Sequence, residues 1–246
     1  MSASVDRVDV AHKALRQAII EQALLPGTKL PEDELGRHFG MSRTLVRAVL
    51  ARLQAQGLVD TFHKRTSTVA QPSLEEAREA FSVRKVLEAE AVRLVIGRWN
   101  KSFDTILTAH VQEEIEASAR HDTRVSTRLA GEFHLRMAEL SGNALLQKYL
   151  TELVSRCSLI LAVYSRPHSA ECAVNEHSAL IEALRRGDTA TAEHLMEEHL
   201  TLVESRALID GEGESKPDLS SILGRYSAPP VAAAKPAPRR KLAVAK

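Results

Sequence analysis

A short segment between residues 35 and 59 constrains the fold of this chain more than any other. Its sequence, LGRHFGMSRTLVRAVLARLQAQGLV, predicts a helix, a glycine turn at Gly40, a second helix and a strand. Ser42 follows the turn and is a favourable N-cap for the second helix. At 100° per residue, the apolar positions of that helix share one face: Val46, Val49, Leu50 and Leu53. A different arc carries Arg43, Thr44, Arg47 and Ala51. The segment therefore predicts a helix-turn-helix with one packing face and one polar face.

The flanking residues extend this motif to a winged helix-turn-helix. Upstream, an apolar helical stripe in residues 14–20 is followed by a Pro26-Gly27 turn, and Pro31 with three acids begins the next helix. Downstream, Gly57 ends the second helix. Residues 58–62 and 67–70 predict two short strands around a basic tip. The predicted N-terminal domain, residues 1–72, is thus three helices plus a β-hairpin wing.

The polar face of the second helix has the composition of a DNA recognition helix. Its first turns carry two arginines four residues apart, in the part of such a helix that meets base edges in the major groove. We predict DNA contacts from these turns and from the wing tip, namely from Ser42, Arg43, Thr44, Arg47, His63, Lys64 and Arg65. An ordinary amphipathic helix with solvated arginines is the alternative. Because one helix covers few base pairs, a homodimer on a palindromic operator in double-stranded DNA is expected.

Length and composition favour two domains and a tail. The chain has 246 residues, of which 44% are hydrophobic and 26% charged. An apolar run of membrane-spanning length and an N-terminal signal segment are both absent from the sequence, and the two cysteines do not make a disulfide framework, so a cytoplasmic protein without a membrane partner is expected. Net charge is +3 over residues 1–70, −7 over 71–226 and +5 over 227–246. A basic head on an acidic body suits a head that meets a polyanion.

Residues 73–210 predict an all-α antiparallel helical bundle. Helical periodicity runs almost unbroken from a capping-box start at Ser73 to about Leu208, with breaks that imply about six helices. Residues 211–246 are rich in Gly, Ser, Pro, Ala and Lys and predict a disordered basic tail. That tail either adds non-specific DNA affinity or serves only solubility.

Three histidines in the bundle have positions that suit a metal site. The Gly187-Asp188 turn joins two helices, with His177 ten residues before it and His199 eleven after it. At ~1.5 Å per residue both lie about 16 Å from the turn and therefore at nearly the same height. His134 lies on an earlier helix, and imidazoles from facing helices are usual ligands of Zn²⁺. The remaining histidines are predicted to be surface or capping residues: His12, His38, His63, His110, His121, His168 and His194.

The motifs of the N-terminal domain resemble those of the GntR-type transcriptional regulators. The matching pieces are the Pro-Gly turn of residues 26–30, the recognition segment of residues 42–50 and the Gln56–Val59 stretch. The chain departs from the family at Leu45, usually Pro, at Ala48, usually Glu, and at Thr66, usually Gly. Asp33 stands where members of the FadR subfamily carry a DNA-contacting arginine, so that contact is not carried over.

Residues 74–208 resemble the FCD domain, the helical effector domain of the FadR subfamily. The resemblance rests on the segments 83–88, 133–134, 141–143 and 176–199. It implies a divalent metal, with Zn as the expected ion, held by His134, His177 and His199. The aspartate that completes this site in the family is replaced by Ala130. The resemblance also nominates Arg84 and Asn143 as effector-binding residues, although Arg84 could instead pair with Glu88 at i+4.

The resemblance implies a regulator, acting as a repressor, in which a small carboxylic or sugar acid binds the helical domain and alters operator binding. One alternative is a metal-responsive regulator in which the ion itself is the signal. Another is a metal-dependent hydrolytic enzyme, since a three-histidine metal with an open position also suits hydrolysis. The enzyme is disfavoured, because Ala130 removes the expected carboxylate and a DNA-binding head has no role in such chemistry.

Overall fold

The computed structural model describes residues 2–61, 66–164, 171–207 and 219–226. Its ten helices within these ranges are α1 Ser2–Ile20, α2 Glu32–Phe39, α3 Arg43–Ala55, α4 Leu74–Ile96, α5 Lys101–Ala119, α6 Thr123–Leu140, α7 Ala144–Tyr164, α8 Glu171–Arg186, α9 Thr189–Ala207 and α10 Leu219–Tyr226. Three short strands complete the elements: β1 Lys29–Leu30, β2 Val59–Asp60 and β3 Ser67–Val69. The predicted fold class is confirmed: a winged helix-turn-helix precedes a helical domain.

The N-terminal domain contains α1 to α3 and a small antiparallel sheet with strand order β1-β3-β2. β3 pairs with β2 in the predicted hairpin, and its other edge pairs with β1, which the sequence analysis did not predict. β1 has only two residues, and it follows a turn in which Gly27 has a φ of 77°, a conformation that favours glycine. Strands this short leave no periodic pattern to detect.

The amphipathic division of α3 follows the prediction. Its buried residues are Val46, Val49, Leu50 and Leu53. Arg43, Thr44, Arg47 and Ala51 are all exposed. Ser42 is the N-cap and accepts a hydrogen bond from the Leu45 backbone at 3.4 Å. The buried face packs into a cluster with Leu15 and Ile19 of α1, so the exposed face is left to the surface.

The helical domain comprises the six helices α4 to α9. A complete capping box begins α4, with the Ser73 side chain on the Glu76 backbone and the Glu76 side chain on the Ser73 backbone. Gly187, with a φ of 68°, forms the turn between α8 and α9. α4 packs against α7 and α9, and α5 packs against α6 and α8. This arrangement brings residues of α4, α5, α6, α8 and α9 to one buried centre.

The prediction of a wholly disordered tail after residue 210 was wrong for α10. This helix packs against α1 and α2 of the N-terminal domain. Leu219 and Leu223 are buried in the same hydrophobic cluster as Leu15, and Tyr226 packs against it. Two buried leucines four residues apart explain why a segment of polar composition forms a helix here, since tertiary burial outweighs weak local propensity. Residues 227–246 lie outside the described ranges.

The two domains are in direct contact. Leu159 of α7 lies in the hydrophobic cluster of the N-terminal domain. Arg128 of α6 donates a hydrogen bond from Nε to Glu21, just after α1, at 3.0 Å. Gly57, with a φ of 69°, lies so close to Arg156 of α7 that an added Cβ would come within 2.9 Å of its side chain. Apolar packing, an ion pair and a close approach therefore join the domains.

No helix within the described residues is long and apolar enough to cross a membrane.

Candidate DNA-binding surface and metal centre

The two recognition-helix arginines are each paired with an acid of α2. Arg43 binds Asp33 through two bonds, from Nε to Oδ1 at 2.7 Å and from Nη2 to Oδ2 at 2.9 Å. Arg47 donates from Nε to both carboxylate oxygens of Glu32, at 2.9 and 3.0 Å. The hydrogen bond from Arg43 lowers the pKa of Asp33, and the pairs raise the pKa of both arginines. The sequence analysis identified the arginines but not these partners.

The remaining predicted DNA contacts divide into two groups. Thr44 is exposed beside the arginines, and the Ser42 hydroxyl caps α3. Arg43, Thr44 and Arg47 therefore form one exposed surface at the start of α3. His63, Lys64 and Arg65, the predicted wing tip, lie outside the described residues.

His134, His177 and His199 meet in the interior of the helical domain. Each offers one ligand atom, and these three atoms lie within 4.8 Å of one another. Ring centroids are 5.4 Å apart for His134 and His177, 5.1 Å for His134 and His199, and 4.8 Å for His177 and His199. The predicted closeness of His177 and His199 about their shared turn is confirmed.

Each of the three imidazoles also contacts a glutamate through its Nδ1 atom. His134 Nδ1 lies 3.0 Å from Glu88 Oε2, and His177 Nδ1 lies 2.9 Å from Glu114 Oε2. His199 Nδ1 contacts Glu176 in the same way. A carboxylate accepts hydrogen bonds, so each ring holds its proton on Nδ1 and leaves the Nε2 lone pair for another partner. A carboxylate behind each ring also fixes its orientation, as in metal sites of the carboxylate–histidine type.

The Nε2 atoms have no adequate protein partner. His134 Nε2 and His199 Nε2 lie 3.1 Å apart and face each other, although both rings hold their protons on Nδ1. His177 Nε2 is buried and has no hydrogen-bond partner among the described residues. Two nitrogens bound at ~2.0–2.1 Å to one tetrahedral zinc ion would be about 3.3 Å apart. Three unsatisfied lone pairs at one buried point fit a divalent cation.

Burial keeps these imidazoles neutral. Desolvation lowers the pKa of His134 well below its usual value and lowers that of His177 to about 3. Desolvation also lowers the pKa of His199, although the hydrogen bond to Glu176 opposes the shift. Phe133 stacks on the His177 ring with centroids 4.0 Å apart, which restricts its rotation. The rings are therefore unprotonated near neutral pH, the form in which imidazole binds a metal.

Arg84 lies one contact away from the histidines. It is buried and donates from Nε to Glu88 Oε1 at 2.9 Å, while the other Glu88 oxygen accepts from His134. Burial opposes its charge, but Glu88 and then Cys157 outweigh burial and raise the pKa of Arg84. The predicted i+4 pair and the predicted position near the site thus coexist: Arg84 compensates the charge of the carboxylate that orients His134.

The structure separates Asn143 from this cluster of contacts. Its side chain is exposed, and its oxygen accepts from the backbone of Leu145 and Leu146, both at 3.2 Å. Ala130 lies one turn before His134 on α6 and offers no ligand atom. Glu132 pairs with Arg128 at 2.9 Å, so it does not take the place of the missing aspartate.

Two histidines expected at the surface are buried. His110 lies 2.9 Å from the Leu129 carbonyl and 3.4 Å from Glu114, and His12 contacts Gln56 at 3.0 Å. The sequence analysis also missed the three glutamates. A signal existed for Glu114, because it shares a helical face with Leu107, His110 and Val111, all buried. A carboxylate on an apolar face requires a buried partner.

Comparison with known proteins identifies both domains. The family model described as "FCD domain" matches residues 79–202, and the model described as "Bacterial regulatory proteins, gntR family" matches residues 8–69. The chain belongs to the GntR family and carries an FCD domain. It is accordingly a transcription regulator of that family and not an enzyme, as are the relatives it matches.

Individual relatives agree with this assignment. The "Probable D-xylose utilization operon transcriptional repressor" of Paenarthrobacter nicotinovorans is 28% identical over 182 residues, which cover 74% of this chain and 80% of the relative. The "HTH-type transcriptional repressor NanR" of Enterobacter sp. (strain 638) is 26% identical over 231 residues, covering 85% and 88%. The solved structure of E. coli McbR/YncC has a TM-score of 0.73 at 22% identity, covering 82% of this chain and 96% of that chain, which shows the shared fold.

Proposed function

We propose that this GntR regulator is a homodimeric repressor that binds a palindromic operator and responds to a small carboxylic or sugar acid held at a divalent metal ion. The observation that carries the proposal is the group of three buried histidines with a glutamate on each Nδ1 and unsatisfied Nε2 atoms. The two relatives described above are named as repressors, one of a sugar utilisation operon, which supports the direction of regulation and the class of effector.

Zinc suits the donor set of the proposed site. Three neutral imidazoles without a carboxylate ligand are typical of zinc. When bound, the ion would supply positive charge and an open ligand position for a carboxylate oxygen. Ala130, at the family's aspartate position, leaves that position open from the side of α6. Arg84 is the proposed second contact for the acid, since a guanidinium near the site matches a carboxylate well. Asn143 is not retained, because its oxygen caps α7.

DNA binding is proposed to use α3 from each of two protomers. Arg43, Thr44 and Arg47 form the exposed start of that helix. Support for a dimer comes from exposed apolar side chains on α4 and α7, two helices that pack against each other: Val83, Val86, Leu145 and Tyr149, at 51%, 69%, 66% and 50% exposure. A second copy of the same two helices would cover this face and provide the second recognition helix.

The test separates the acid effector from the metal-only alternative. A duplex is first selected from a random pool by the full-length protein, and footprinting establishes whether the protected sequence is palindromic. Acids are screened by thermal shift, where a ligand at 100 times its Kd adds about 2.7 kcal/mol of stability. DNA affinity is then measured with zinc alone, acid alone and both.

The proposal predicts that DNA is released only when zinc and the acid are present together. Release by zinc alone would identify the ion as the signal and would contradict the acid effector. Selection that enriches no sequence would contradict operator binding itself.

A further inference from the structure

Asp33 and Glu32 place negative charge on the surface that is expected to face DNA. Asp33 is 60% exposed and its partner Arg43 is 67% exposed. Both acids lie in the first turn of α2, where the helix dipole favours anions, and the N-cap residue Pro31 has no side-chain cap bond. Exposed ion pairs contribute little to folding stability, and acids repel phosphate. Stability therefore does not explain why two acids stand between the arginines and the DNA backbone.

The geometry of the Asp33–Arg43 pair suggests a different role. The carboxylate bonds to one side of the guanidinium, through Nε and Nη2, at 2.7 and 2.9 Å. A guanidinium has five N–H groups, and these two bonds use one on Nε and one on Nη2. The other three, on Nη1 and Nη2, point along the outer edge, which is the edge that binds O6 and N7 of guanine. Arg43 is thus held in a fixed orientation without losing its base-reading edge.

Arg47 is held less tightly. Its contact with Glu32 uses Nε alone, shared between two oxygens at 2.9 and 3.0 Å. One donor allows rotation about the Nε–H direction, whereas the two parallel bonds of Arg43 do not. The structure therefore distinguishes a firmly oriented arginine from a more adaptable one, and Asp33 is the residue responsible for the difference.

We propose that Asp33 is a positioning residue that determines sequence specificity: it orients Arg43 toward a base edge and weakens binding that relies on phosphate alone. The fixed orientation reduces the entropy lost when Arg43 meets its base. The negative charge disfavours DNA that offers only phosphates, so discrimination improves while total affinity falls. The inference rests on the proposed use of α3 as the recognition helix.

The experiment compares Asp33→Asn with Glu34→Gln in the full-length protein. Glu34 lies in the same first turn of α2, and no ion pair is seen for it in the described part of the chain, so its variant removes the same charge as a matched control. Affinity is measured at one fixed salt concentration for the duplex selected by wild-type protein and for a scrambled duplex. Asp33→Asn should strengthen scrambled binding and lower the selected-to-scrambled affinity ratio by about 5- to 30-fold, a loss in the range of one base contact.

A double-mutant cycle with Arg43→Ala isolates the positioning role. In the Arg43→Ala background, Asp33→Asn should leave the affinity ratio unchanged, because no guanidinium remains to be oriented. Asp33→Glu should retain part of the ratio. A merely structural role for Asp33 would lower the melting temperature without moving the ratio.

Three outcomes would overturn the inference. In the first, Asp33→Asn changes both affinities by the same factor, as Glu34→Gln does. In the second, the ratio falls equally with and without Arg43. In the third, wild-type protein selects no duplex at all, which would overturn operator binding as well; the first two outcomes leave operator binding intact.

Discussion

Arg128 of the helical domain and Glu21 of the DNA-binding domain form a direct ion pair, with Arg128 Nε 3.0 Å from Glu21 Oε1. Arg128 also pairs with Glu132 at 2.9 Å, and all of α6 from Thr123 to Leu140, including His134, is one helix. Glu21 directly follows α1, which packs against the recognition helix α3. A movement of α6 on ligand binding would therefore reach the DNA-binding domain through this pair.

Loss of the Glu21 charge should weaken the coupling between the domains. In Glu21→Gln, Arg128 keeps Glu132, so the fold should be retained. We expect the ligand-induced change in DNA affinity to fall by about 2- to 30-fold, the usual range for a residue along a coupling route. DNA affinity without ligand should stay close to that of wild type. Fluorescence anisotropy with the selected duplex measures both.

Glu139→Gln is the matched control for this coupling. It removes an exposed pair with Arg136 on the same helix, away from α1. An equal loss of response in both variants would show that the domains communicate by another route.

The glutamates behind the histidines should determine metal affinity. Glu114 is buried against His177, and burial raises its pKa to about 7. Glu114→Gln should lower zinc affinity by about 10- to 100-fold, because it weakens the hold on the Nδ1 proton of His177. Competition with a zinc chelator gives the affinity. Glu113→Gln, an exposed neighbour on α5, should bind zinc like wild type; equal affinities for the two variants would rule out this role.

A charge in the exposed apolar face of α4 should separate the proposed dimer. Val86 is 69% exposed, so Val86→Glu should not disturb the fold of the monomer. Sedimentation should show a monomer, and affinity for the selected duplex should fall, since one protomer reaches only one half-site. Val10→Glu on α1, at 51% exposure, is the control and should remain dimeric. A Val86→Glu protein that sediments like wild type would move the interface elsewhere.

Helix α10 should stabilise the DNA-binding domain. Truncation after Asp210 removes α10 and exposes the surface that Leu219 and Leu223 cover, whereas truncation after Tyr226 removes only residues 227–246. The first should lower the melting temperature and the second should not. The salt dependence of DNA binding decides between the two roles considered for the basic tail, since each lost phosphate contact flattens the slope by ~0.9. Equal melting temperatures for both truncations would contradict the stabilising role.

The sequence predicted what depends on local pattern. The face of α3, the capping residues Ser42 and Ser73, and the turn at Gly187 follow from helical periodicity and cap chemistry, which operate within a few residues. The meeting of His177 and His199 followed from equal distances about one turn. Each of these relationships is contained within one element or one helix pair.

Partnerships across distant elements could not be predicted in the same way. Glu114 meets His177 across 63 positions and Glu88 meets His134 across 46, so the pairing depends on how the helices pack. α10 was missed because its stability comes from two leucines buried against α1 and α2 rather than from its own sequence. The acids that pair with Arg43 and Arg47 were interpreted only as a helix start.

Metal content tests the central claim most directly. Elemental analysis after purification and zinc reconstitution should find about one ion per chain in wild-type protein. His177→Ala/His199→Ala should retain none and should not release DNA when zinc and acid are added. His121→Ala/His194→Ala, which removes two exposed histidines, should behave like wild type. A wild-type protein that stays free of metal after reconstitution, or a His177→Ala/His199→Ala protein that still releases DNA normally, would contradict the metal-held effector mechanism.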